Sequence, residues 1–360
     1  MKKRFFLSLL MLLIFVVGLA ACGNGGTKGT EGLKFLPLND KECAVSAGDA
    51  KLMKEIVIPA KYNKYKVTAI YGGKSSDSGA GFSYCKNLEK ITIPNTITTI
   101  YEYAFVNCEN LTNITLPDSV KSIGKSAFSG CTSLKSIEIP NSVTRIEASV
   151  FSSCTSLESI EIPKSVTFIG ASVFSNCSSL KSIIIQSSIT TIESSVFSDC
   201  SSLESVKIPK SVTSIGTYAF CRCSSLKSME IPDSVTTIEN GAFSGCSNLA
   251  SVIIPDSVTT IGENAFYSCS SLINIIIPDN VCRIEEYAFS NNSSLKSIVI
   301  PKNVTYIGGY AFSRCQNLSI FLESDSIFKE YNDYWNPNKR PVYFSGEWEY
   351  DQNGNPLPLK

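Results

Sequence analysis

The sequence has no histidine among its 360 residues. That absence removes Ser-His-Asp and Cys-His nucleophile pairs, and every histidine-containing zinc site. There is no G-x-x-x-x-G-K-[ST] phosphate loop and no dinucleotide-binding glycine fingerprint. Net charge is missing too, since 32 basic residues face 32 acidic ones. A near-neutral surface argues against nucleic acid and against any strongly electrostatic partner. Glu285-Glu286 has no second carboxylate pair at a workable spacing. Asp118, Asp233, Asp256 and Asp279 each follow a proline, which is turn chemistry. Cys221-Arg222-Cys223 stands alone and makes no metal site. No enzyme, no cofactor and no small-molecule substrate is expected.

What the sequence does contain is a period. Phe82 is followed by Phe105, Phe128, Phe151, Phe174, Phe197, Phe220, Phe243, Phe266, Phe289 and Phe312, each 23 residues on. A fixed period in the twenties marks a solenoid, whose units bury their apolar faces only against their neighbours. In the unit from Ser133 to Cys154 the apolar positions are Leu134, Ile137, Ile139, Val143, Ile146, Val150 and Phe151. Ile137-Glu138-Ile139 alternates as a short strand does, and Pro140 ends it because proline donates no hydrogen bond. Val143 and Ile146, then Val150-Phe151, suit a tight turn and a short helical or 3₁₀ return better than a second long strand. The expected fold is a repeat solenoid of 23-residue units. Short parallel strands occupy one face, and turns or short 3₁₀ or helical segments occupy the other. Stacking makes the Phe series an internal aromatic spine.

The pattern L-x-x-I-x-I-P-x-x-V-x-x-I-x-x-x-A-F-x-x-C runs from about Met53 to Leu318. It resembles the BspA-type leucine-rich-repeat surface proteins, and the tail P-V-Y-F-S-G-E-W-E-Y is similar to tails of that family. The resemblance implies a surface-displayed binding protein, with adhesion to host matrix proteins or other cells. A structural envelope scaffold without a specific ligand is the alternative. Another is a glycan-binding accessory protein using the C-terminal aromatics.

At the N-terminus, Lys2-Lys3-Arg4 precede the apolar run Phe5 to Val17 and then Leu19-Ala20-Ala21-Cys22-Gly23. This reads as an export signal, residues 1–21, ending in a lipobox. Cys22 is then the lipidated first residue of the mature chain, holding it outside the cytoplasm on a bacterial membrane. Removing three basic residues leaves 29 against 32 acidic ones, a mature charge of −3. Residues 22–32 read as anchor and glycine-rich tether, 33–81 as an N-terminal cap with a degenerate repeat, 82–323 as the solenoid and 324–360 as a C-terminal cap. In the last part, Val342 to Trp348 reads as a hairpin around Ser345-Gly346.

Ten of the 14 cysteines sit three residues after a repeat Phe, and Asn292 takes that place in the remaining unit. A replaceable parallel column is the wrong arrangement for disulfides, whose Cβ atoms must converge. Free thiols bonded to turn backbone are expected. The residue after the Ile146-type position alternates Gly and Glu from Gly124 to Gly308, so the site does not require positive φ. Lys135, Glu158, Lys181, Glu204 and Lys227 place opposite charges on adjacent rungs. The outward residue of each strand runs Thr92, Thr115, Glu138, Glu161, Ile184, Lys207, Glu230, Ile253, Ile276, Val299. Ile253, Ile276 and Val299 form an apolar stripe, which is either a partner-binding surface or ground covered by the C-terminal cap.

Overall fold

Each repeat folds as one coil, and successive coils stack in parallel register 23 residues apart, as Ser159↔Ser182, Ile160↔Ile183 and Glu161↔Ile184 show. The structure, a computed structural model, describes residues 28–73, 80–324 and 333–359. The expected signal segment, Cys22 and most of the 72–79 loop lie outside the described residues. Among the described residues, about 12 coils make a β-solenoid with almost no helix. The first strand of each coil alternates as the sequence requires, with Ile160 and Ile162 buried and Glu161 exposed. Pro163 then ends it in a turn closed by the Val166 N–H donating to the Pro163 carbonyl at 3.1 Å.

The return differs from the helical option. Each coil has a second, two-residue strand such as Arg145–Ile146 or Phe168–Ile169, and these strands pair in a second parallel ladder. After it the chain arches through turns. Residues two before and two after the core Phe take left-handed φ, as at Ser149 (58°) and Ser153 (60°), Ser172 (58°) and Asn176 (61°). A right-handed helix cannot contain such residues. The arch amides turn instead to the next coil, as when Phe151 N–H donates to the Val173 carbonyl at 3.0 Å.

All eleven Phe side chains are fully buried. Neighbouring rings stack with centroids 5.2 to 5.8 Å apart, for example Phe105–Phe128 and Phe151–Phe174. Trp335 closes the far end edge-on to Phe312 at 6.1 Å. The cysteine column runs beside the spine as free thiols. From Cys108 onward each thiol donates to the carbonyl of the preceding coil's Phe, as Cys108 Sγ to Phe82 O at 3.0 Å and Cys177 Sγ to Phe151 O at 3.1 Å. Asn292 does the same through Nδ2 to Phe266 O at 2.9 Å, and also reaches Phe289 O at 2.7 Å. Its Oδ1 is buried without a partner.

The Gly/Glu alternation has a steric cause. None of Gly124, Gly170, Gly216, Gly262 and Gly308 has positive φ. A Cβ on Gly262, however, would stand 2.7 Å from the Glu239 carbonyl carbon, and one on Gly308 would stand 2.3 Å from the Glu286 nitrogen. Coils with Gly therefore seat closely on the Glu coil before them. Their N–H···O bonds are 2.8 Å at Gly124, Gly170 and Gly216 and 2.7 Å at Gly308, against 3.1 Å at Glu239 and 3.0 Å at Glu285, with Gly262 at 3.0 Å the exception.

The ends depart from the repeat. Lys34–Pro37 runs antiparallel to Glu42–Ser46, which pairs in parallel with Tyr65–Ile70 and so starts the second ladder. Thr30 is already held to Val57 by two hydrogen bonds, so the chain docks before Gly32. At the C-terminus the expected Val342–Trp348 hairpin is absent. Ser345-Gly346 does turn the chain, but Val342–Tyr343 joins the open edge of Ser319–Leu322 in parallel, with Tyr343 stacked on Phe321 at 4.9 Å. The hairpin lies one step later, between Trp348–Tyr350 and Pro356–Pro358. Asp351 makes its turn, accepting the Asn353 and Asn355 N–H groups at 2.8 Å each. Those bonds also hold the Asp351 carboxyl below its ordinary pKa.

Candidate binding face

The two ladders present two different outer surfaces. Outward residues of the second ladder are Thr, Ser, Arg, Phe and Tyr, and its cations are already engaged. Arg145 lies over the Phe168 ring at 4.0 Å while pairing with Glu147, and Arg283 lies over Tyr306 at 4.1 Å while pairing with Glu285.

The first ladder is polar along its N-terminal coils, with Thr92, Thr115, Glu138 and Glu161 exposed. Beside that column the charge alternation forms ion pairs, Glu158–Lys181 at 3.8 Å and Glu204–Lys227 at 3.2 Å. Both pairs are open to solvent and contribute at most a few tenths of a kcal/mol each. They stop at Lys227. The next two residues of that column are Ala250 and Ile273.

At the same two coils the main outward column turns apolar. Ile253 is 66% exposed and Ile276 is 82% exposed, with Ile273 at 44% beside them. Val299 is only half-buried, because its in-register neighbour Phe321 lies under the cap. Phe321 is buried against Tyr343 and edge-on to Trp348 at 5.5 Å, and the Trp348 indole N–H donates to the Leu322 carbonyl at 3.0 Å. The C-terminal aromatics therefore cover the end of the column and leave Ile253 and Ile276 bare. Ile184, 56% exposed, is separated from them by Lys207 and Glu230.

Sequence reasoning singled out Ile253, Ile276 and Val299 and missed Ala250 and Ile273. The available signal was the break in the Lys/Glu alternation after Lys227. Contiguous exposed apolar residues, unlike scattered ones, mark interaction surfaces. Among the described residues no group of three or more His, Cys, Asp or Glu is placed to hold a metal, and no helix is long and apolar enough to cross a membrane.

Comparison with known proteins follows the same lines. A family model described as BspA type Leucine rich repeat region matches residues 78–204 and 190–319, in six copies. Among solved structures, the pneumococcal vaccine antigen PcpA is similar at 22% identity and a TM-score of 0.60, covering 92% of this chain and 94% of that one. A leucine rich cell surface protein from Faecalibacterium prausnitzii is 28% identical with a TM-score of 0.48, covering 82% of this chain and 95% of that one. A leucine-rich repeat protein from Bacteroides ovatus is 27% identical with a TM-score of 0.44, covering 88% and 98%. The PcpA likeness is one of fold. No curated protein matches the sequence significantly. With more than half its length matched, the chain belongs to the BspA type leucine rich repeat family.

Proposed function

We propose that this is an exported, lipid-anchored surface protein that binds a protein ligand through the apolar part of its first-ladder face. The observation that carries the reading is the bare patch of Ile253, Ile273 and Ile276, which the protein's own cap leaves uncovered. A face of this kind costs solubility when left open, and β-branched residues on strands gain nothing there that Thr would not supply. The ligand class is a protein presenting apolar side chains, as a matrix protein or another cell's surface would. The export signal and Cys22 supply the anchor, and the near-neutral charge leaves apolar contact as the main attraction.

The test uses cells bearing the full-length protein on immobilised extracellular-matrix proteins and on partner cells. Changing Ile253, Ile276 and Val299 together to Thr keeps strand propensity and removes apolar surface. Adherence should fall by about tenfold or more, the cost of losing a central contact. Replacing Cys22 with Ser should release the protein from the membrane fraction. Unchanged adherence by the triple variant places binding elsewhere, and full membrane retention of the Cys22→Ser protein contradicts the lipid anchor.

A further inference from the structure

Proline ends the first strand in every coil from Pro94 to Pro301 except one, where Gln186 stands instead. Each of the nine prolines accepts the i+3 turn bond, as Pro163 does from Val166 and Pro209 from Val212 at 3.1 Å. At Gln186 that bond to Ile189 is absent. The Gln186 N–H instead donates to the Ile162 carbonyl at 3.1 Å and prolongs the first-ladder strand to Ile185, while its side-chain amide donates to the Glu161 carboxylate. The chain then enters its turn out of step. Ser187 is buried with a hydroxyl that has no partner, where the equivalent Lys164 and Lys210 are exposed.

The consequence shows on the other face. Among the described residues the second ladder runs unbroken from Glu42–Ser46 to Phe168–Ile169, and again from Thr191–Ile192 to Tyr306–Ile307. Between those two runs the pairing is missing. The Thr190 and Glu193 amides lack the bonds that Thr213 and Gly216 make at 2.8 Å one coil later. Glu193 also belongs to the looser, Glu-bearing kind of coil. Looseness alone does not break the ladder. The Thr144 and Glu147 amides lack the same two bonds, yet there Pro140 keeps its turn and Ile146 still pairs with Ile123. Two weaknesses coincide only at the Gln186 coil. The first ladder is itself interrupted elsewhere, between Ser136–Ile137 and Ser159–Ile162 and between Ser205–Val206 and Ser228–Glu230. It holds across the Gln186 coil, through Ser182–Ile185 paired on both sides, and so do the arch bonds such as Phe174 to Val196 at 2.9 Å.

We propose that the Gln186 coil is a built-in hinge. The solenoid opens there along the second ladder, dividing into an N-terminal block and a C-terminal block that carries the bare Ile253 and Ile276. The first ladder and the arch act as the leaf, so the C-terminal block tilts as a unit and re-aims its apolar face.

Reporters belong on the ladder that opens. Ile192 is buried at the hinge, as Ile146 and Ile238 are in the N-terminal and C-terminal blocks. Full-length chains carrying Ile146→Cys, Ile192→Cys or Ile238→Cys singly are treated with iodoacetamide at guanidinium concentrations below their unfolding transitions, and modification is mapped by peptide mass. A solenoid that frays only from its ends labels position 192 last. The hinge predicts that it labels about tenfold faster than positions 146 and 238, because local opening there needs less free energy. Cys177 and Cys200, bonded to arch carbonyls in the leaf, should label no faster than Cys131 and Cys246. Adding Gln186→Pro restores the turn and should slow labelling at 192 without changing 146 and 238. Labelling at 192 no faster than at 146 and 238 overturns the proposal, and so does a folded Gln186→Pro chain with unaltered labelling at 192. Should that variant not fold, the order among the three single variants decides alone.

Discussion

A cysteine three residues past each core Phe serves as a small apolar side chain with one donor. The Phe carbonyl of the preceding coil is a buried acceptor, and the thiol supplies its partner without a void. Burial pushes Cys177 and Cys269 from the ordinary 9.0 up to about 12, and Cys85 and Cys315 up to about 11. A raised pKa means the folded chain keeps protons that the unfolded chain gives up. Stability from this source is therefore complete below pH 9 and lost as pH rises toward 12. With no histidine to titrate, the urea midpoint should stay flat from about pH 6 to 8 and then fall steadily through the alkaline range. A midpoint that holds to pH 11 argues against thiols bonded in the core. Asn292 is the exception in the column, making two bonds at the expense of an orphaned Oδ1. Asn292→Cys removes that buried unpaired oxygen and should stabilise by about 1 kcal/mol, measured by urea unfolding. A destabilised variant means that the amide's second bond, to Phe289, outweighs its orphan.

At the scale of the element, the coil was largely legible in the sequence. The in–out–in strand, the Pro stop and the buried Phe follow from side-chain period and proline chemistry, which are local. The second strand was not, since two residues show no alternation and pair only through neighbours 23 residues away. The arch reads as helix-compatible because Ser, Asn, Tyr, Asp and Arg stand at most of its left-handed positions, and the glycines that advertise the turn come only at Gly130, Gly241 and Gly245. The Gly/Glu alternation was visible, but its cause is a contact between coils. That cause can be tested. Gly262→Ala drives a Cβ into the Glu239–Asn240 peptide and should cost about 1–3 kcal/mol, as overpacking does. Glu193→Ala, on a looser coil with a half-buried side chain, should change stability by no more than about 0.5 kcal/mol. Equal costs would show that the alternation reflects ancestry alone.

Over the whole molecule, each coil touches only its neighbours, so the surface varies along the axis while the core repeats. Fixed core positions leave the outward columns free to differ, and they do differ between the two halves. The N-terminal coils have a solvated, ion-paired face. The coils around Ile276 have an apolar one that ends where Trp348 and Tyr343 seal Phe321. Sequence alone indicated the stripe, but whether the tail covered it depended on which strand Val342–Tyr343 would join. The central claim is that this patch touches the partner. A photo-crosslinking amino acid placed at position 276 of the full-length protein on cells, with one at 138 as control, tests it directly during adherence. The account predicts a crosslink to a ligand protein from position 276 that the Ile253→Thr change weakens, and none from position 138. Crosslinks to the ligand from 138 alone would contradict it.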